Sequence, residues 1–262
     1  MDIQYKPSPN FGDRKPQDAD VNILVLHHTA MNSFNSAVDW LCNKEAGVSA
    51  HYVIGKDGEI AKLVDEDKRA WHAGRGSWSD NNDVNSYSIG IELDNNGFEP
   101  FSAKLMKSLI ELSKDIMARH NIPQYNVIAH ADMAPARKED PNPYFPWKEL
   151  KENGVGLFPE VQKSERVLFE PWSKGFLPVQ TKLNNYGHDI PKNDVFDRDS
   201  QIVVTAFKRH FDSDACTLLK NEDNKPYWKV DLSWTEYDDN MLNALYDLKQ
   251  QALDNHTHEL YF

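Results

Sequence analysis

Short runs of apolar and β-branched residues alternate with helical patterns in the first half of the chain, and this alternation constrains the fold most. Strand-length runs occur at 22–28, 51–55, 59–64, 88–93 and 126–130. Apolar residues recur at helical spacing over Ala103–His120, and a second helix is predicted over Asn35–Leu41. Asp57-Gly58, between the second and third runs, predicts a hairpin. We therefore expect an α/β fold in which helices flank a mixed central β-sheet.

The pattern changes after Trp147, where glycine and proline become frequent and predict a linker over 156–175. Three further amphipathic patterns follow the linker and predict helices, the second of them with Asp199 or Ser200 as its N-cap. These helices are expected over Pro178–Tyr186, Ser200–Phe211 and Asp238–Leu253. The chain is thus predicted to comprise an α/β domain at 1–155, the linker, and a small three-helix domain at 176–262.

Composition argues against two classes of partner. The chain has 29 Lys and Arg against 41 Asp and Glu, a net charge of −12, with no basic half that would bind nucleic acid. Mean hydropathy is −0.68, and no run approaches the roughly 18 apolar residues of a membrane span. The N-terminus carries no apolar signal segment, and the distant Cys42 and Cys216 exclude a disulfide framework.

Two histidines close predicted strands and are candidates for a metal site. His27 ends the run NILVLH and His130 ends the run NVIAH. In open α/β sheets, sites form at the carboxyl ends of strands. With Asp140, two imidazoles and one carboxylate make a zinc shell that leaves one position for water, although Asp140 alone is equally typical of a turn. The other scattered histidines are expected at the surface or hydrogen-bonded in the core: His120, His188, His210, His256 and His258.

Two charged residues near these histidines have alternative interpretations. Glu92 lies within the apolar run SIGIEL, where a carboxylate is costly unless it is paired or faces a cleft. Strand alternation can turn it to solvent, or it can serve as a general base with a raised pKa beside a metal-bound water. Lys138, just before Asp140, is either a solvated loop charge or a cation that stabilises a developing oxyanion.

Five segments, in their order and spacing, resemble the type 2 N-acetylmuramoyl-L-alanine amidases, which are bacterial zinc amidases related to the peptidoglycan recognition proteins. The similarity covers residues 8–150 and, within the family, is greatest to AmiD-type and AmpD-homologue enzymes that carry a C-terminal wall-binding domain. The segments are LHHTA at 26–30, SAHYVI at 49–54, AWHAG at 70–74, SIGIEL at 88–93, and AH, RKEDP and FPW between 129 and 147.

The resemblance implies that His27, His130 and Asp140 bind one zinc ion per chain, that Glu92 is the catalytic glutamate, and that Lys138 is the family's conserved lysine. The implied reaction is hydrolysis of the amide between N-acetylmuramic acid and L-alanine, in peptidoglycan or its muropeptide fragments. The alternatives are a non-catalytic peptidoglycan recognition module and an envelope structural protein. Non-catalytic relatives typically lose a metal ligand, whereas all the matching residues are present here.

Residues of other motifs are expected at the substrate. Trp71 and His72 match the WHAG segment that helps to wall the substrate cleft. His51 matches the SAHY histidine, for which a structural and a substrate-facing role are both open. Trp78 and Tyr52 lie near these motifs in the sequence and are, with Trp71, candidates for stacking on sugars; a place in the core is the alternative for the two tryptophans.

The C-terminal helices resemble, more loosely, the three-helix peptidoglycan-binding type 1 domain, although the stretch 212–236 is longer than usual. We expect this region to bind the wall; packing on the catalytic domain alone is the alternative. A polymeric substrate would place the enzyme on the periplasmic side of the envelope, whereas the missing signal favours either cytoplasmic recycling of anhydro-muropeptides or a leader that has been removed. Nothing in the sequence predicts an oligomeric state.

Overall fold

The computed structural model describes residues 1–162 and 175–259, with side chains up to Asp254. Most of the predicted linker, 163–174, and the side chains of His256 and His258 therefore lie outside the described residues. The strands are Ile3–Tyr5 (β1), Phe11–Asp13 (β2), Ile23–His28 (β3), Tyr52–Ile54 (β4), Ile60–Lys62 (β5), Lys68–Ala70 (β6), Ser88–Leu93 (β7), Val127–Ala129 (β8), Cys216–Lys220 (β9) and Pro226–Val230 (β10). The α-helices are Phe34–Cys42 (α1), Val84–Tyr87 (α2), Ala103–His120 (α3), His130–Met133 (α4), Trp147–Glu152 (α5), Leu177–Tyr186 (α6), Arg198–Phe211 (α7) and Glu236–Glu259 (α8).

Six strands form a mixed sheet in the order β1-β5-β4-β7-β3-β8, and the predicted fold class is thereby confirmed. The strands β4, β7, β3 and β8 run parallel to one another, while β4 and β5 form the antiparallel hairpin predicted at Asp57-Gly58. The register pairs His27 of β3 with Glu92 of β7. On the other side, Leu26 of β3 pairs with Ala129 of β8, the residue before His130. The pairing of these strands thus brings His27, Glu92 and His130 together at the carboxyl ends of the parallel strands.

The central strand β3 is buried on both faces, as expected for a parallel strand between two layers. Leu24 and Leu26 join a hydrophobic cluster with residues of α3 and α5. Ile23 and Val25 face the other way and pack with residues of α6, α7 and α8. The C-terminal helices therefore cover part of one face of the sheet and share a core with it. Whether residues 176–262 act as a separate wall-binding domain stays a prediction.

The C-terminal region contains a hairpin that the sequence did not predict. Strands β9 and β10 pair antiparallel and account for the extra length of the stretch 212–236. Trp228 of β10 donates a hydrogen bond from Nε1 to the carbonyl of Gly97 at 3.0 Å, so the hairpin rests on the loop after β7. The N-cap of α7 is Asp197, which accepts from the backbone of Ser200 at 2.9 Å, rather than Asp199 or Ser200.

Within the described parts of the chain, none of the helices has the length and apolar character needed to cross a bilayer.

Candidate metal centre and substrate cleft

Three of the predicted site residues converge at the carboxyl edge of the sheet. The Nδ1 atoms of His27 and His130 lie 2.8 Å apart. The Oδ2 atom of Asp140 is 3.2 Å from the first and 3.0 Å from the second. All three side chains are buried, and each offers one potential metal ligand within 4.8 Å of the others. The structure therefore contains a candidate metal site composed of two imidazoles and one carboxylate.

Hydrogen bonds around His27 determine which of its nitrogens carries the proton. Ser88 Oγ donates to the carbonyl of Val84 at 2.6 Å, so it accepts from His72 Nε2 at 3.1 Å. His72 Nδ1 is then the acceptor for the Nε2 proton of His27, at 3.0 Å. The Nδ1 atom of His27 is left with a lone pair that points into the cluster.

In His130 too, Nε2 carries the proton and Nδ1 has the lone pair, because Nε2 donates to the carbonyl of Ala73 at 3.0 Å. Both Nδ1 atoms and the Asp140 carboxylate are thus acceptors that face one another. Burial and the neighbouring His130 lower the pKa of His27 to about 4, so the Nδ1 atom of His27 carries no proton at neutral pH. A cation satisfies three such acceptors, and two neutral imidazoles with one carboxylate suit a divalent metal ion.

The loop that carries His72 is held in place by Asn85 and by the absence of a side chain on Gly90. Asn85 Oδ1 accepts from the backbone N–H groups of His72 and Ala73, at 3.1 and 2.8 Å. A Cβ atom added to Gly90 would lie 2.4 Å from Cγ of His72. The glycine of SIGIEL therefore makes room for the imidazole that orients His27.

Glu92 lines the same cleft as His130, Asp140 and Lys138. Among the described residues, its buried Oε2 atom finds no hydrogen-bond partner. Burial, together with the charge of Asp140, raises the pKa of Glu92 to about 8, while Lys138 acts in the opposite direction. A carboxyl group with a pKa near neutrality, facing a cleft, can exchange protons with a bound molecule.

One wall of the cleft is apolar and includes an exposed aromatic residue that the sequence analysis missed. The cleft has a volume of about 420 Å³, and Trp40, Trp71 and Val48 line it. The Trp40 side chain is 50% exposed, although it belongs to α1, whose buried residues are Phe34, Ala37, Val38 and Leu41. The sequence could have indicated this exposure, because Trp40 falls outside the apolar stripe of the amphipathic helix α1.

The residues expected at the substrate occupy different positions. Trp71 and His72 line the cleft, and their contact with substrate stays a prediction. His51 is fully buried; its Nδ1 accepts from the backbone of Gly90 at 3.0 Å, and its Nε2 donates to the carbonyl of Lys68 at 3.1 Å. Of the two roles open for His51, the structure supports the structural one, so the substrate-binding assignment is wrong.

The expectation that Trp78 and Tyr52 stack on sugars is also wrong, because both side chains are in the interior. Trp78 is fully buried, with its ring edge-on to Tyr186 of α6 at 5.5 Å. Tyr52 is 4% exposed and donates its hydroxyl proton to Glu66 at 2.6 Å. Neither residue is available to a ligand.

Comparisons with known proteins show the family to which the chain belongs. A model described as N-acetylmuramoyl-L-alanine amidase matches residues 17–143. The N-acetylmuramoyl-L-alanine amidase AmiD of Escherichia coli K12 is 40% identical over 214 residues, which cover 73% of this chain and 75% of AmiD. The chain belongs to the N-acetylmuramoyl-L-alanine amidase family. The predicted family and its activity, hydrolysis of the amide between N-acetylmuramic acid and L-alanine, are confirmed.

Solved structures of this amidase family resemble the chain over nearly its whole length. AmiD from E. coli in complex with anhydro-N-acetylmuramic acid-L-Ala-D-γ-Glu-L-Lys matches with a TM-score of 0.73 and 29% identity, covering 91% of this chain and 97% of AmiD. AmpDh3 from Pseudomonas aeruginosa in complex with anhydromuramic pentapeptide has a TM-score of 0.70 and 28% identity, covering 94% of this chain and 96% of AmpDh3. The likeness therefore includes the C-terminal region of this amidase.

The packing of His72 on Gly90 generates a testable prediction. Gly90→Ala should lower the free energy of unfolding by about 1–3 kcal/mol, because the new methyl group overlaps the imidazole and forces it to move. Chemical denaturation measures this loss. Gly12→Ala is the matched control, since its Cβ would meet only Trp71 Nε1, at 3.9 Å. Equal stability of the two variants would contradict the tight packing.

Proposed function

We propose that this chain is a zinc-dependent amidase in which His27, His130 and Asp140 hold the metal, Glu92 transfers protons, and Lys138 stabilises negative charge. The observation that carries the proposal is the convergence of three potential ligand atoms, from His27, His130 and Asp140, next to a cleft lined by Glu92, whose buried Oε2 atom has no hydrogen-bond partner among the described residues. Its substrates are peptidoglycan and anhydro-muropeptides, in keeping with the ligands of the AmiD and AmpDh3 complexes.

A zinc ion at this site supplies Lewis acidity, which polarises the scissile carbonyl and acidifies a water molecule. The protein itself keeps the Nδ1 atoms of both histidine ligands free of protons. For His27 this is done by the chain of hydrogen bonds through His72 to Ser88, and for His130 by the carbonyl of Ala73. Such outer partners orient the ligands and raise their basicity.

Glu92 acts as the general base and then as the general acid. Glu92 lines the cleft, and its buried Oε2 atom has no competing donor among the described residues. The carboxylate accepts a proton from the attacking water and passes it to the departing nitrogen of L-alanine. The raised pKa makes both halves of this transfer feasible, since an efficient acid–base group has a pKa near the working pH.

Lys138 faces the oxyanion that forms when water adds to the amide carbonyl. It lies on the loop after α4, where its backbone N–H donates to the carbonyl of Ala134 at 3.1 Å, and it lines the cleft with Glu92 and Asp140. A fixed positive charge in a partly enclosed cleft stabilises developing negative charge more than it would in water.

Two assignments extend the proposal beyond the cleft. The C-terminal region, 176–262, binds glycan strands of the wall, in keeping with its resemblance to peptidoglycan-binding domains. The enzyme then acts on the periplasmic side of the envelope, with cytoplasmic recycling as the alternative. Release of stem peptide from whole sacculi, compared with release from purified anhydro-muropeptides by mass spectrometry, distinguishes the two settings.

Substitution of Glu92 and Lys138 tests the mechanism. Glu92→Gln keeps the side-chain shape but removes the proton acceptor, so turnover of anhydro-muramyl tripeptide should fall by about 10²–10⁴-fold. Lys138→Met should lower turnover by about 10²–10³-fold, because the oxyanion loses its cation. Both variants should retain wild-type zinc content, measured by atomic emission.

Glu111→Gln and Lys107→Met are the matched controls, since both residues lie on α3 outside the cleft and should keep wild-type turnover. Wild-type turnover in Glu92→Gln would contradict the assignment of the base. Loss of zinc from Glu92→Gln would instead place this carboxylate among the metal ligands.

Trp40 provides a separate test of how the cleft holds its substrate. Its exposed indole should stack on a sugar ring of the muropeptide. Loss of this aromatic contact in Trp40→Ala should therefore raise KM by about tenfold and leave kcat unchanged. Trp40→Phe should restore most of the affinity, and Tyr5→Ala, at a residue 60% exposed, is the control. An unchanged KM in Trp40→Ala would contradict this role.

A further inference from the structure

A carboxylate next to the candidate metal site holds the turn from which His130 projects. Asp132 lies in α4, and its Oδ2 atom accepts from the backbone N–H of Ala129 at 2.7 Å. Ala129 is the N-cap of α4 and directly precedes His130. The bond closes the first turn of this four-residue helix, which is too short to be stable through its own backbone bonds. Asp132 therefore fixes the backbone that sets the position of the His130 ring.

The same carboxylate oxygen is bound by a histidine of the C-terminal region. His210 of α7 donates from Nδ1 to Oδ2 of Asp132 at 2.8 Å. His210 is 4% exposed and Asp132 is 1% exposed. Within the described ranges, the second oxygen of Asp132, Oδ1, has no hydrogen-bond partner. Two donors thus hold this buried carboxylate, and one of them comes from outside the α/β part of the chain.

The His210 ring is itself held rigidly. It stacks on Trp147 with ring centroids 3.7 Å apart and an interplanar angle of 23°. On Phe211 it stacks at 3.8 Å and 6°. A second histidine, His188, donates from Nδ1 to the backbone carbonyl of Asp132 at 3.1 Å. The C-terminal region therefore holds both the side chain and the backbone of Asp132.

We infer that His210 is a positioning residue for metal binding, which acts through Asp132 to hold His130 in place for the cation. Because the cation site is the one proposed above, this inference rests on the proposed function. The C-terminal region then contributes to metal affinity as well as to the core. A buried carboxylate that loses a donor shifts toward its remaining partners or toward water, and the turn it closes loosens with it.

The test is the zinc dissociation constant of the full-length chain, measured by competition with a chromogenic chelator. His210→Phe keeps a flat ring between Trp147 and Phe211 but has no donor. It should bind zinc about 10–100-fold more weakly, the usual effect of removing a partner behind a metal ligand. His210→Asn places an amide N–H close to the position of Nδ1 and should recover most of the affinity.

Lys208→Met is the matched control on the same helix. Lys208 is fully buried and donates to Asp238 of α8 at 2.8 Å and to the carbonyl of Ser233 at 2.9 Å. Its loss should lower the thermal midpoint of the apo-protein but leave the zinc dissociation constant within about twofold, because independent sites contribute additively. This control separates general loosening of α7 from the specific contact to Asp132.

Asp132→Asn is the second variant and decides the outcome where His210→Phe does not fold. It retains the size of the side chain but weakens both bonds to Oδ2, so the zinc dissociation constant should rise at least about fivefold. Wild-type affinity in folded His210→Phe or Asp132→Asn, or an equal loss in Lys208→Met, overturns the inference. A wild-type chain that binds no zinc would instead refute the proposed function.

Discussion

Two imidazole lone pairs and a carboxylate that face one another repel unless a cation lies between them, and much of the structure serves to hold them in this arrangement. Neither His27 nor His130 can turn its ring to relieve the repulsion, because each donates its Nε2 proton to a fixed acceptor. Those acceptors depend on the loop that Asn85 holds and on the space above Gly90. Folding brings the three acceptors together and removes water from them. The folded chain therefore presents a cation with ligands that are already in position.

The sheet accounts for the geometry of this arrangement. Parallel pairing of β3 with β7 and β8 places His27 beside Glu92 and brings the start of α4, with His130, to the same edge. The strands can be apolar on both faces because α3 covers one face and the C-terminal helices cover part of the other. Through His210 of α7 and His188 after α6, the C-terminal region also contacts the turn that carries His130. The C-terminal region thus packs directly against the candidate metal site.

Local patterns predicted the main helices and sheet strands and the two strand-end histidines, because a strand end is visible in the sequence, whereas the family resemblance supplied Asp140 as a ligand. The bounds of α3 and β7 are the predicted ones. The side chains of His27, His130 and Asp140 lie close together, as expected. The failures involve contacts between distant segments. Trp78 lies in a polar loop, yet α6 buries it, and the bond from His210 to Asp132 joins residues 78 positions apart. The β9–β10 hairpin was missed since its strands lack a clear apolar alternation.

We expect His27, His130 and Asp140 to share one cation. Anomalous diffraction at the zinc absorption edge, from crystals grown with zinc at neutral pH, locates such an ion. A single strong peak should lie at about 2.0–2.2 Å from each of His27 Nδ1, His130 Nδ1 and Asp140 Oδ2. A map without a peak there, with the three atoms still in mutual contact, would show that they do not form a metal site.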